Sequence, residues 1–229
     1  MSAAANLVSS TAAVVGVIGA GTMGAGIAQV AAAAGHRVKF FDAVEGAASR
    51  AVDSLGADLQ RRVSSGRLSD GEGKALLSRI EPVAALDAFG DVDIAIEAIV
   101  ERLDLKRELL AQLERIVSDR AILATNTSSL SITALGRYLR VPQRLVGMHF
   151  FNPVLAMKLV EVVSGTITVR AVAEAVAEAV AEAVAALAQR WGKVPIHARS
   201  TPGFVVNRIP GLSMPKRCCC CKMVMRRLR

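Results

Sequence analysis

At 229 residues, with 52% hydrophobic and 21% charged residues, the chain has the apolar content for a buried core and stands far from the highly charged composition of disordered proteins. Every apolar run is broken by glycine or a charge well short of the ~20 residues that a membrane-spanning helix needs, and the first thirteen residues hold neither a basic nor a sustained apolar stretch. We therefore expect no membrane span, no secretory leader, a cytoplasmic location and a disordered start over residues 1–13. The net charge of +8 points to nucleic acid at first sight, but six of the 28 basic residues, none of the 20 acidic ones and all four cysteines fall in residues 210–229. The rest of the chain is close to neutral and free of cysteine, which argues against a nucleic-acid partner and a disulfide framework.

In chain order, the first element is a short β-branched run from Val14 that meets Gly19, Gly21 and Gly24 at once. Met23, Ile27, Val30 and Ala31 then recur at helical spacing until Gly35, a natural end for a helix. Arg37 to Asp42 gives a second strand that ends in an acid, eighteen residues after Gly24. Strand, glycine turn, helix, strand and acid together form a dinucleotide-binding fingerprint, whereas a lone glycine triplet is a common loop. Gly19 permits the tight turn, Gly21 lets backbone approach a pyrophosphate, Gly24 allows close helix–strand packing, and the phosphates meet the positive end of the helix. A carboxylate at Asp42 accepts from a ribose diol and repels a 2′-phosphate, so the cofactor is read as NAD.

Farther along, Asp93 to Val100 reads as a buried strand and Leu103 to Val117 as an amphipathic helix with Leu105, Leu109, Leu113 and Ile116 on its apolar face. Ala121 to Asn126 and Arg144 to His149 are two more strand-like runs. Alternating strands and helices predict an α/β fold of Rossmann type, with a doubly wound, mainly parallel sheet. Ligands in such sheets gather beyond the carboxyl ends of the strands, where Glu101, Ser128 and His149 fall.

The run His149-Phe-Phe-Asn152-Pro, continued to Glu161, is the most informative segment. Alone, a histidine on an apolar strand is most often a satisfied core residue. Together with the glycine turn, Glu101 to Lys106, Asn126-Thr-Ser128 and Thr201-Pro-Gly-Phe-Val-Val-Asn207, it closely resembles the 3-hydroxyacyl-CoA dehydrogenases, in order from about Val14 to Ile209. Within that family the chain is most similar to bacterial enzymes of fatty-acid or phenylacetate breakdown. The resemblance implies an acyl-CoA substrate and NAD, with no metal. It also implies that His149 removes the proton of the substrate's 3-hydroxyl and that Glu161 orients the imidazole. Histidine titrates near working pH and a carboxylate fixes its tautomer, so these residue types suit the task. By the same resemblance Ser128, Asn152 and Asn207 hydrogen-bond the reacting oxygen, and Glu101 and Lys106 lie near the cofactor. Asn126 or Ser128 equally fits the N-cap of a helix starting at Ile132. CoA recognition in the family uses a helical pair, here residues 44–80; Arg50, Arg61, Arg62 and Arg67 lie in it and none is assigned.

Two features depart from the family. Residues 171–182 are three copies of Ala-Val-Ala-Glu, read as a helix about two copies longer than the family's, which is expected to disturb its packing on the sheet. After Ile209 the family continues into a helical domain, whereas this chain reads Pro210-Gly-Leu-Ser-Met-Pro-Lys-Arg and then Cys218 to Cys221. Reading each codon's last base with the next two turns the Cys–Cys junctions into leucine and Met214–Pro215 into alanine, and recovers a family-like helix. The expectation is one lost base after Ile209. Consecutive cysteines cannot converge on a tetrahedral zinc as C-x₂₋₄-C pairs do. The organisation expected is an NAD-binding domain over residues 14–197, a linker over 198–209 and a non-native tail over 210–229. The family forms homodimers through its helical domain, so this chain is expected to be monomeric.

Overall fold

The computed structural model describes residues 13–165, 171–201 and 204–206. Of the disorder expected over residues 1–13, only Ala13 is described, and it is buried; the rest of that segment, the linker beyond Val206 and the cysteine-rich tail fall outside the described residues. Eight strands form one sheet: β1 (Val14–Ile18), β2 (Arg37–Phe41), β3 (Ile80–Pro82), β4 (Ile94–Glu97), β5 (Ile122–Thr125), β6 (Leu145–Phe150), β7 (Leu159–Ser164) and β8 (Val194–Arg199). The helices are α1 (Thr22–Ala33), α2 (Ala47–Ser64), α3 (Asp70–Leu77), α4 (Leu103–Ile116), α5 (Ile132–Gly136) and α6 (Ala171–Arg190). In space the strands run β3-β2-β1-β4-β5-β6-β7-β8, parallel as far as β6. β7 then turns back antiparallel to β6, and β8 runs parallel to β7.

This is the doubly wound α/β sheet read from the sequence. The chain leaves β1 toward β2 and β3 and returns to β4 on the other side, so the crevice of the topological switch opens between β1 and β4. Strands covered on both faces need apolar side chains throughout, and β4, β5 and β6 are buried at every position. One core packs Val15, Val17 and Ile96 against Ile27 and Ala31 of α1 and Val184 and Leu187 of α6. A second, on the other face, packs Leu123 and Leu145 against Leu110 and Leu113 of α4. Gly16 sits in mid-strand because a Cβ there would lie 2.4 Å from the Phe89 ring.

α4 is turned relative to the expected face. Its buried residues are Lys106, Leu110, Leu113 and Glu114, while Leu105, Leu109 and Ile116 are only half-buried. Two charged side chains take deep positions because each finds partners there, Lys106 in Glu97 and Glu114 in the backbone N–H groups of Arg140 and Val141, both at 2.9 Å. The alanine–valine repeat does form one helix. Its period of four drifts by about 40° per copy against 3.6 residues per turn, so Val176 is 36% exposed while Val180 and Val184 are buried. A continuous packed face runs from Val180 to Ala188, so this half of the helix is seated on the sheet.

His36, at the entry to β2, has no solvent exposure; its Nδ1 donates to Ala13 O at 3.0 Å and its ring lies edge-on to Trp191 at 5.9 Å. Burial pushes its pKa below the usual histidine value, as does the Arg190 charge, against opposing pulls from the Ala13 carbonyl and Asp93. The unfolded chain thus takes up this proton first, so the stability contributed by neutral His36 is complete above the ordinary histidine pKa and is lost as pH falls below it. Thermal melts between pH 7.5 and 5.5 are expected to drop by several degrees more for the parent than for His36→Phe. Parallel melting curves would remove His36 from the acid response.

Candidate active site

The glycine turn joins β1 to α1. Gly19 holds φ +103° and donates its N–H to Phe41 O at 2.8 Å, and a Cβ there would lie 2.7 Å from Ala98 O. At Gly24 a Cβ would stand 1.7 Å from Gly19 O, whereas at Gly21 it would meet nothing within 4 Å. Gly21 is the N-cap of α1 and offers no side chain to the helix's first N–H groups, and the first turn holds no acid. The positive end of α1 therefore faces open space at the crevice, as an incoming diphosphate requires. Asp42 follows β2 and accepts from Ala20 N at 2.6 Å and Val44 N at 2.8 Å, one bond on each oxygen. The second lone pair of each oxygen remains for a ribose diol. This chain's residues thus fit a dinucleotide.

At the carboxyl ends of β4 and β5 the side chains form a network that sequence reasoning saw only in part. Lys106, 1% exposed, turns its ammonium inward to both oxygens of fully buried Glu97, at 2.9 and 2.8 Å, and to Ile99 O at 3.2 Å. Thr125 donates its hydroxyl to the same carboxylate. Glu101 gathers the turn after β5: its Oε1 accepts from the Thr127 hydroxyl at 2.6 Å, from Ser128 N at 2.9 Å and from the Ser128 hydroxyl at 3.1 Å. Burial raises the Glu101 pKa, but these donors and the Lys106 charge outweigh it and leave the carboxyl below its usual range. The helix cap expected at Asn126 or Ser128 is instead Ser131, whose hydroxyl accepts from Ala134 N at 3.2 Å. Asn126 reaches across to β6 and accepts from Phe150 N at 2.8 Å.

His149 and Glu161 are brought together by strand register. They are direct partners across the antiparallel β6–β7 ladder, and Nδ1 lies 2.6 Å from Oε2. Both are buried, at 6% and 0% exposure. The other carboxylate oxygen accepts from Val205 N at 3.0 Å and Val206 N at 2.8 Å, which ties the segment after β8 to the site. Burial pushes Glu161 up, yet the His149 bond, the two N–H donors and the imidazole charge bring its pKa below the usual value. Phe151 and Phe204 flank the imidazole, at ring separations of 4.5 and 6.0 Å. Asn152 stands exposed just beyond β6, and Asn207 falls outside the described residues. Lys193, buried, donates to Val154 O and to Met157 O at 2.9 Å and so secures the loop that follows Asn152. Neither Glu97 nor Lys193 was singled out from the sequence. A lone acid closing an apolar strand was the available signal for Glu97.

In the helical pair α2–α3, Arg61 and Arg62 pair with Asp58, and Arg50 donates to Glu45 O. Among the described residues no helix is long and apolar enough to cross a membrane, and no three His, Cys, Asp or Glu side chains group as metal ligands.

The chain that carries this nucleotide turn at the switch point and this buried His–Glu pair on β6 and β7 matches a known family over nearly all its described residues. The family model described as "3-hydroxyacyl-CoA dehydrogenase, NAD binding domain" matches residues 14–201. The chain belongs to this family. It is 46% identical over 195 residues to the 3-hydroxyadipyl-CoA dehydrogenase of Escherichia coli (strain K12), covering 85% of this chain and 39% of that one. It is 38% identical over 193 residues to the 3-hydroxybutyryl-CoA dehydrogenase of Clostridioides difficile, covering 84% of this chain and 66% of that one. The solved structure of (S)-3-hydroxybutyryl-CoA dehydrogenase from Ralstonia eutropha superposes with a TM-score of 0.77 at 40% identity, covering 86% of this chain and 66% of that one. The chain thus carries the family's NAD-binding domain and spans less than two thirds of these relatives' length.

Proposed function

We propose that this domain supplies NAD binding and proton transfer to an enzyme that oxidises the 3-hydroxyl of an (S)-3-hydroxyacyl-CoA to the 3-ketone, in fatty-acid or phenylacetate breakdown in the cytoplasm. The observation that carries this reading is the buried His149–Glu161 pair at 2.6 Å, with His149 near the carboxyl end of β6, two strands from β4 at the dinucleotide crevice. Glu161 accepts the Nδ1 proton and so leaves Nε2 as the base, and it steadies the imidazolium that forms when Nε2 takes the hydroxyl proton. The Gly19–Gly24 turn and Asp42 would hold NAD, which would supply the acceptor for the C3 hydride. Ser128 and Asn152, with Asn207 from the following segment, hold the reacting oxygen by hydrogen bonds. The Glu101 carboxylate sets the Ser128 turn, and the rings of Phe151 and Phe204 keep water from the imidazole.

The test is NADH formation by the purified chain with (S)-3-hydroxybutyryl-CoA, beside an NAD titration of the same sample. Turnover that His149→Ala lowers by about 10²-fold or more supports the proposal. Turnover untouched by that change, or no NAD binding at all, overturns it. The chain spans 39% of one relative and 66% of another, which favours a second reading: an NAD-binding piece that turns over only with the helical domain. NAD binding without turnover, with activity restored when a base is reinstated after Ile209, selects that reading.

A further inference from the structure

The network at the ends of β4 and β5 carries an unbalanced charge. Glu97 accepts at both oxygens from Lys106, at one also from Thr125 and at the other from Ile99 N at 3.2 Å. Lys106 donates to both oxygens and Ile99 N to one of them, the surroundings that a carboxylate takes. Lys106 Nζ lies 3.6 Å from Glu101 Oε2, and Glu101, 36% exposed, is the outermost member. Two carboxylates thus share one ammonium, and the group as a whole is negative. One carboxylate suffices to neutralise a buried lysine, and Glu101 already holds the turn after β5, so the charge of Glu97 needs another explanation.

Its position supplies one. Glu97 and Thr125 are the last residues of β4 and β5, and nucleotides in doubly wound sheets bind beyond those strand ends. The nicotinamide ring is cationic in NAD and neutral in NADH. A charge held in the protein interior is screened far less than one in water, so it distinguishes the two forms. We propose that Glu97 is a specificity-determining residue of the NAD site: it leaves the Glu97–Lys106–Glu101 group net negative and thereby tilts the site toward the oxidised cofactor. This rests on the NAD-site reading, not on turnover.

The experiment is calorimetric titration of the full chain with NAD and, separately, NADH. In Glu97→Gln the group becomes neutral, and the ratio of the NAD dissociation constant to that of NADH is expected to rise about fivefold. In the double variant Glu97→Gln with Lys106→Met, Glu101 alone restores the single negative charge, and the ratio is expected to return to the parent value although both buried partners are gone. A purely structural pair predicts the reverse: both forms weakened alike, and the double variant no better than the single. Equal weakening in Glu97→Gln, or a ratio that stays shifted in the double variant, overturns the proposal. Should Glu97→Gln fail to fold, Glu101→Gln at the half-exposed end removes the same charge and must shift the ratio in the same direction. A parent chain that binds neither form would sink the NAD-site reading itself, and this inference with it.

Discussion

Replacing Glu161 with glutamine is expected to slow the proposed oxidation by about 10²- to 10⁴-fold while NAD affinity stays within about twofold of the parent. The size follows from what the carboxylate holds. Its Oε2 lies 2.6 Å from His149 Nδ1 and its Oε1 takes two backbone N–H bonds from residues 205 and 206. Burial opposes its ionisation, but these donors and the imidazole charge hold its pKa below the usual range. Glutamine keeps the shape and one acceptor. If that acceptor stays on Val205 and Val206, its NH₂ faces Nδ1 and favours the tautomer with the proton on Nε2, the wrong atom for a base. If it turns to Nδ1, the two N–H groups lose their partner. Either way the imidazolium loses a counter-charge in a low-dielectric site. Steady-state rates, NAD titration and melting temperature are measured on the same protein. A rate loss matched by weakened NAD binding and a lowered melting temperature would mean that Glu161 only anchors the segment at residues 204–206.

The first half of the fold was legible because its parts obey local rules. β1, β4 and β5 are buried on both faces and read as apolar runs, and the glycine turn tolerates no other residue at Gly24. The edges were not legible. β3 is a three-residue strand containing Glu81 and Pro82, and β8 carries Pro195 and His197 with mostly exposed or half-buried positions, so neither shows a strand pattern. β7 was hidden by Glu161, an acid in the middle of Leu159–Ser164, and it is the antiparallel turn of that strand which sets Glu161 opposite His149. The proposed catalytic pair was thus reached through the family resemblance, and its geometry belongs to tertiary pairing. Lys106 shows the other limit. It falls on one stripe with Leu110 and Leu113, which placed a charge on a buried face, but its partner Glu97 lies on a different element and no spacing rule connects them.

Substitution of alanine at Gly24 is expected to lower NAD affinity by about a hundredfold, roughly 2.7 kcal/mol, and to destabilise the fold by about 1–3 kcal/mol. The new Cβ would lie 1.7 Å from Gly19 O and 2.9 Å from Gly19 C, both backbone atoms of the same turn, so no side-chain rotation relieves the clash. α1 must move away from β1, and its first N–H groups leave the position that the open crevice defines for a diphosphate. Gly21→Ala separates the two roles. A Cβ there meets nothing within 4 Å and the residue's φ of −71° is open to any side chain, so the melting temperature should be unchanged. The methyl nevertheless enters the space through which a pyrophosphate approaches the backbone, and a loss of about tenfold in NAD affinity is expected. Calorimetric titration and thermal melts of the two variants decide the matter together. Parent-like NAD binding by Gly21→Ala would move the diphosphate away from this turn, and Gly24→Ala would then have acted through the fold alone.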